Sequence, residues 1–400
     1  MKILHIAVHI GGGVGTVLKN WIKKDFENEH TILLLNHNYY DNDYNIKYKN
    51  MRNKYDDINI LVSKADIVII HFWNHPYLFE FLINSKMPAN RLCIWSHISG
   101  LYSPYNFTKD LINYPDKFLF SSPVSGENFI WTTGGIEKYI HKEKVLDKSK
   151  FVVGYIGTLD YSKLHPKFVD ICKGIHQKIP NVKFIICGTG GDEEKIKNRI
   201  AIHGIDEIFE FKGFINNNIE DIITTFDVFG YPLNEKHFGT CEQVLGETMA
   251  CGVEPVVLNN PSEKYIVEGY GRVSNNIKDY INNINDIFLN PVDKTKILKD
   301  RALELYDINK MINLWNNIFI DIIKEEKKER TWSGKQCKYG FEIFAESIGD
   351  NGKILLEGNK REIKKLFDTN NQWRSKSKGS INQYLEAFPD DEKLKEWAKL

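Results

Sequence analysis

Two carboxylates stand five residues apart in the stretch HFGTCEQVLGETMACG, His237 to Gly252: Glu242 and Glu247. Paired carboxylates do acid–base work when both reach one reacting atom. At about 100° per residue, five steps leave two mid-helix side chains about 140° apart around the axis. Both glutamates therefore cannot project the same way from one helix. Glu242 is expected in the first turn or in the loop before it, and Glu247 a turn and a half further in. Gly239, Thr240 and Cys241 would then offer backbone N–H groups at the helix start, where an anion is favoured.

Three glycine stretches invite the same question. GGGVGT, Gly11 to Thr16, follows the first apolar run, and Gly12 and Gly13 let a ligand approach the backbone closely. As a dinucleotide fingerprint it fails, because counting from Gly11 puts Thr16 where the third glycine belongs. The second strand also ends in NHN rather than in an acid for a ribose hydroxyl, and no GK[ST] makes a P-loop. In GYIGTLDYSKLHP, Gly157 and Thr158 end a strand and Lys163 follows, where a lysine can neutralise a diphosphate. IICGTGG repeats the pattern with Gly188 and Thr189. Taken one at a time, each glycine stretch can also be a tight turn, and for Lys163 alone a surface lysine is the commoner explanation. Asp41 to Asp43, DND, mimics a metal-binding D-x-D but sits in a polar loop and reads as a solvated turn. There is no HExxH and no Cys/His cluster, so no metal site is expected.

The elements that must position these residues alternate regularly. KILHIAV, HTILLLN, ADIVIIHF, RLCIWSH and KFLFSS are short apolar runs separated by amphipathic stretches such as VGTVLKNWIKKDF. Such runs suit strands covered on both faces, in a parallel, doubly wound sheet. The rhythm breaks at GGIEKYIHKEKVLDKSK, which reads as a linker, and restarts at FVVGYIG. Two Rossmann-like units result, expected at 1–148 and 149–330. From about Pro291 the chain turns helical, and 331–400 forms a charged, aromatic extension whose Trp, Phe and Tyr imply packing against something.

Bulk properties narrow the class. The chain has 400 residues, 42% of them hydrophobic and 26% charged, with a formal net charge of +0. That is a globular average with no global pull toward nucleic acid or acidic lipid. Six scattered cysteines without a CxxC pair read as reduced, mostly buried thiols of a cytoplasmic protein. No run of about 18 apolar residues is present.

In order, these motifs resemble those of the retaining nucleotide-sugar glycosyltransferases of the GT-B fold, glycosyltransferase family 4-like, over roughly residues 1 to 290. The match comprises Gly11 to Gly15, GTLDYSK with Lys163 in the family's lysine position, CGTGG, FKG, and ETMACG at the end of the family's E-G-F-G-x-x-x-x-E-A-M-A-C-G. Two positions depart: Thr158 replaces an arginine, and Gly239 stands where the first glutamate belongs, with Glu242 the nearest acid. The resemblance implies two Rossmann-like domains facing a cleft, with the C-terminal extension packed back on the first. It also implies metal-independent transfer of a hexose from a UDP- or GDP-linked donor to a glycan, glycolipid or lipid-linked acceptor, with retention, in bacterial surface polysaccharide synthesis. No further cofactor is implied. Catalytic roles would fall to Lys163, His97 and Glu242. Donor contacts would come from Gly13, Gly157, Thr158, Lys163, Gly188, Thr189, Gly239, Thr240, Cys241 and Glu247, the last on the ribose. Gly12, His71 and His75 would lie on the acceptor side. The extension could bring peripheral contact with a membrane face or a protein. The competing readings are a nucleotide-sugar epimerase or hydrolase of the same fold, or an inactive nucleotide- or glycan-binding scaffold.

Overall fold

The computed structural model describes residues 1–36, 46–145, 147, 149–332 and 336–400. The DND stretch at Asp41 to Asp43 lies outside them. The chain forms two compact units. One comprises 1–134, 238–240 and 308–400, and the other 135–237 and 241–307. The expected divisions at 148/149 and 330/331 thus lie 14 and 23 residues beyond those of the compact units, at 134/135 and 307/308.

In the first unit, strands β1 (Lys2–Ala7), β2 (Glu29–Leu34), β3 (Ile67–Phe72), β4 (Met87–Asn90), β5 (Leu92–Ser96) and β6 (Lys117–Leu119) appear in that order. Five of them make a parallel sheet ordered β2-β1-β3-β5-β6. All six residues of β3 and all five of β5 are buried, as expected of strands covered on both faces. Helix Gly12–Lys24 buries Gly15, Val17, Leu18 and Trp21, one stripe at helical spacing.

The second unit holds β7 (Phe151–Ile156), β8 (Val182–Cys187), β9 (Phe209–Gly213), β10 (Val228–Tyr231), β11 (Glu254–Leu258) and β12 (Arg272–Ser274). They form a six-stranded sheet ordered β12-β11-β10-β7-β8-β9, with every pair parallel. The chain runs outward from β7 through β8 to β9, then returns to β10 on the other side. The carboxyl ends of β7 and β10 therefore flank a topological switch point, where open α/β sheets bind ligands.

The stretch read as a linker is partly structured. Helix Glu137–Ile140 opens the second unit and buries Tyr139. After residue 307 the chain joins the first unit. Helix Ile308–Ile322 packs Trp315 and Phe319 against Trp21 and Trp95, with the Trp21 and Trp315 rings stacked at 5.1 Å. β13 (Lys328–Arg330) pairs antiparallel with β4. Beyond it, Trp332, Phe344, Phe367, Trp373, Tyr384 and Trp397 are buried in one core with Leu78, Phe79 and Leu82. All six cysteines are buried free thiols. Among the described residues no helix is long and apolar enough to cross a membrane.

Candidate functional site

Lys163 follows β7 and Glu242 follows β10, so they meet at the switch point of the second sheet. The Lys163 ammonium lies 2.9 Å from Glu242 Oε2, and the Tyr231 hydroxyl donates to the same oxygen at 2.6 Å. Glu242 occupies the N-cap position of helix Gln243–Ala250, the placement its spacing from Glu247 predicts. The Tyr306 hydroxyl donates to the carbonyls of Cys241 and Glu242 at 2.9 and 3.1 Å and pins the turn. Burial alone would push the Glu242 carboxyl up, but Lys163 and then His237 outweigh it and hold it below the usual carboxylate range. The Lys163 side chain keeps 19% of its surface, whereas that of Glu242 keeps 4%. Of the pair, the lysine side chain is thus the more accessible and the carboxylate the more enclosed.

His237 and Glu263 extend this network, with Nε2 2.8 Å from Oε1 and both side chains buried. Burial disfavours charge on His237, yet the Glu263 carboxylate and then Glu242 raise its pKa above the ordinary value. Ligand-type atoms of His237, Glu242 and Glu263 lie within 4.8 Å of one another, a spacing open to a metal ion. The Lys163 ammonium already occupies Glu242 and His237 Nε2 already faces Glu263, so a metal ion would have to displace Lys163 and take over the His237–Glu263 contact. Sequence reasoning missed His237, Glu263 and Tyr231. Glu263 lies 21 residues past Glu242, in helix Pro261–Val267, and only the fold brings it back.

Glu247 stands apart from this network. Its half-buried carboxyl is pushed up to about 7, first by burial and against the hydrogen bonds of Tyr139 and Gln243. Gln243 Nε2 also donates to the Gly135 carbonyl at 3.1 Å. Tyr139 was hidden in the stretch that reads as a linker.

The two glycine loops of the second sheet pack on each other. Backbone bonds run from Gly157 N–H to the Cys187 carbonyl at 3.0 Å and from Leu159 N–H to the Thr189 carbonyl at 3.1 Å. A Cβ on Gly188, whose φ is +131°, would sit 2.0 Å from the Gly157 carbonyl oxygen, and one on Gly190 would meet the Leu159 backbone at 2.4 Å. These glycines serve loop–loop contact first, while Thr158 and Thr189 remain exposed at the carboxyl edge.

In the first unit the loop after β1 behaves differently. Gly15 is demanded by packing, since a Cβ there would lie 1.6 Å from the Ile10 carbonyl oxygen. Gly12 has φ +71° but open space around it, and Gly13 has neither a positive φ nor a neighbour within 4 Å. Gly239 and Thr240 belong to this unit, whereas Cys241 belongs to the second. The Thr240 and Ser122 hydroxyls are hydrogen-bonded at 2.8 Å.

The histidine expectations need correction in two places. His71 is fully buried, and its ring nitrogens meet His5 at 3.0 Å and His97 at 2.9 Å, so it faces no acceptor. His75 caps helix Pro76–Asn84, its Nδ1 accepting from Tyr77 N–H at 3.1 Å. His97, just past β5, is half-buried, and its Nε2 meets His71 Nδ1 at 2.9 Å.

Residues 137–304 match the family model described as glycosyl transferases group 1. A 2-deoxystreptamine N-acetyl-D-glucosaminyltransferase of Niallia circulans is 27% identical over 112 residues, which is 28% of this chain and 28% of that relative. The match thus spans under a third of that relative's length. Among solved structures, HepE of Anabaena in complex with UDP-glucose superposes with a TM-score of 0.65 at 16% identity, covering 80% of this chain and 100% of that one. The lipopolysaccharide outer core galactosyltransferase WaaB, in its apo form, gives 0.59 at 17% identity, over 80% and 100%. At such identities the likeness speaks for the fold, two parallel-sheet α/β domains of the GT-B kind.

Proposed function

We propose, from the match of residues 137–304 to the glycosyl transferases group 1 model, that this protein is a glycosyltransferase. It moves a hexose from a nucleotide-diphosphate donor, a UDP-sugar by analogy with the complexed HepE, to a glycan or glycolipid acceptor. The second unit binds the donor and the first recognises the acceptor. The observation that carries this reading is the Lys163–Glu242 pair at the switch point of the second sheet.

A diphosphate leaving group gathers negative charge as the glycosidic bond breaks, so the site needs positive charge fixed in place beforehand. Lys163 supplies it. Glu242 holds the ammonium and Tyr231 holds Glu242, so little reorganisation is left for the moment of reaction. With Thr158 in the arginine position, Lys163 carries a larger share of this charge. Glu247 accepts hydrogen bonds from the ribose hydroxyls. Retention by a glycosidase-like route needs two available carboxyl groups about 5 Å apart. Glu242 and Glu263 are close enough, but Lys163 and His237 engage them in the interior. Transfer therefore proceeds on one face of the sugar, the departing phosphate taking the acceptor's proton, without a bound metal. Surface polysaccharide synthesis at the cytoplasmic face of a membrane suits such a reaction.

Replacing Lys163 by Ala tests the assignment. Loss of a well-placed charge-assisted donor costs roughly 3–4 kcal/mol, or 10²–10³ in turnover. The expected result is that loss, measured as UDP release from UDP-glucose and related donors, in a variant whose circular dichroism is unchanged. Wild-type turnover by the folded variant would sink the proposal. Donor consumption without any acceptor would point instead to a hydrolase or epimerase.

A further inference from the structure

Four histidines cross the first sheet in a single line. His30 on β2, His5 on β1, His71 on β3 and His97 just past β5 stand on strands that are successive neighbours. His30 Nδ1 lies 2.8 Å from His5 Nε2, His5 Nδ1 lies 3.0 Å from His71 Nε2, and His71 Nδ1 lies 2.9 Å from His97 Nε2. At the far end His30 Nε2 lies 3.0 Å from Asp25 Oδ2. Every link joins an Nδ1 to an Nε2, so the line has a direction. Trp21 and Trp95 pack against the rings, with centroids 5.2 Å from His5 and 4.7 Å from His97.

A neutral imidazole has one N–H and one lone pair, so each ring that donates at one nitrogen accepts at the other. Asp25 fixes the polarity. Its carboxylate receives the Trp21 indole N–H at 3.3 Å, the Asn28 amide at 2.9 and 3.2 Å, and the Glu27 backbone N–H at 3.1 Å. All of these are donors, so Asp25 has only lone pairs to offer His30. His30 then donates at Nε2 and accepts at Nδ1, His5 and His71 do the same in turn, and His97 donates its Nε2–H to His71. What remains at the end is the His97 Nδ1 lone pair. That atom is shielded and has no hydrogen-bond partner among the described residues. Burial supports neutral rings throughout, lowering the pKa of His30, of His5 and His71 well below the ordinary value, and of His97 to about 3.

We propose that the Asp25–His30–His5–His71 chain is a tautomer lock that holds the proton of His97 on Nε2 and presents Nδ1 as an acceptor for a substrate hydroxyl. The ligand half of this proposal rests on the glycosyltransferase reading; the lock does not. Asp25, His30, His5 and His71 are positioning residues, and the signal spans three strand spacings, roughly 14 Å.

Nuclear magnetic resonance of ¹⁵N-histidine-labelled protein at pH 7 reads the lock without substrate. The expected pattern has Nε2 protonated and Nδ1 bare in all four rings, with couplings across the three N–H···N bonds running from Nε2 to Nδ1. A proton on His97 Nδ1, or couplings in the opposite sense, overturns the lock. Asp25→Asn tests its anchor. The introduced amide keeps its oxygen on the Glu27 N–H and turns its NH₂ toward His30. The whole chain then reverses and the His97 proton moves to Nδ1, while Asp25→Glu keeps the wild-type pattern. An unchanged ¹⁵N pattern in Asp25→Asn overturns the anchor. If Asp25→Asn does not fold, the wild-type couplings decide alone. In transfer assays with UDP-glucose the reversed chain turns an acceptor into a donor and lowers turnover roughly ten- to hundredfold, restored in Asp25→Glu. Full turnover with a reversed pattern overturns the ligand half. The lock observed in a protein that transfers no sugar overturns the functional reading and leaves the lock intact.

Discussion

Glu247 titrates where a cell's pH lies, and its sign makes the assigned role testable. Burial lifts its carboxyl to about 7, so it is largely protonated at pH 6 and largely ionised at pH 8. A carboxylate accepts two ribose hydroxyls better than a carboxylic acid does, which must spend one oxygen as a donor. Affinity for a nucleotide sugar, whose diphosphate does not titrate in this range, should therefore tighten roughly tenfold from pH 6 to pH 8, one proton's worth. Calorimetry across that range measures it, and Glu247→Gln should flatten the curve. A flat wild-type curve would remove Glu247 from the ribose. Folding stability runs the other way. A raised carboxyl adds stability that is complete below its ordinary value near 4.5 and is lost as pH rises through about 7. The position of Glu247 was legible because ETMACG carries it. Its partner Tyr139 was not, since a tyrosine in a polar, charged stretch gives no sign of meeting a residue more than a hundred positions away.

At the scale of the element, the glycine loops separate into two kinds that sequence cannot distinguish. A glycine needed by a neighbouring backbone and one needed by a ligand look alike in a string of letters. Gly188 is of the first kind, with its positive φ and the Gly157 carbonyl 2.0 Å from a would-be Cβ. Gly13 has no internal reason to be glycine, and it lies in the first turn of helix Gly12–Lys24. Gly188→Ala should therefore lower the melting temperature clearly, by strain and by forcing the loops apart. Gly13→Ala should leave stability unchanged or raise it by about 0.4–1 kcal/mol, yet depress transfer if the loop meets a substrate. Thermal melts and UDP release on the two variants decide this. A Gly13→Ala protein as active as wild type would make the loop a mere turn. The alternation of strands and helices was legible over most of the chain, because short apolar runs enriched in β-branched residues have few other folded uses. Strand order was not, since β7's central place depends on a return crossover that no local pattern encodes.

At the scale of the molecule, the last seventy residues decide whether the first unit can exist alone. The aromatic content of the extension pointed to packing, and the core shows where. Trp332 lies edge-on to Phe79 at 6.3 Å and near Tyr114 at 5.4 Å, and Phe344, Trp373, Tyr384 and Trp397 share the same cluster. Asn84 closes the seam, its amide donating to the Cys337 carbonyl at 2.9 Å and its oxygen accepting the Cys337 N–H at 3.0 Å. Deleting one buried Phe or Trp side chain costs about 3–5 kcal/mol, and a whole domain holds only about 5–15 kcal/mol of net stability. Removing five such side chains at once, Trp332, Phe344, Phe367, Trp373 and Trp397, exceeds that reserve. A chain cut after Arg330 should accordingly be insoluble or proteolysed, with no cooperative melt for the first unit. An arm that only touches a membrane or a partner would behave otherwise: residues 1–330 would fold with an unchanged melting temperature and lose only that contact. Soluble yield, limited proteolysis and calorimetry of the truncated chain separate the two outcomes. Full cooperative unfolding of the truncated protein at the wild-type temperature would return the extension to the role of a docking arm.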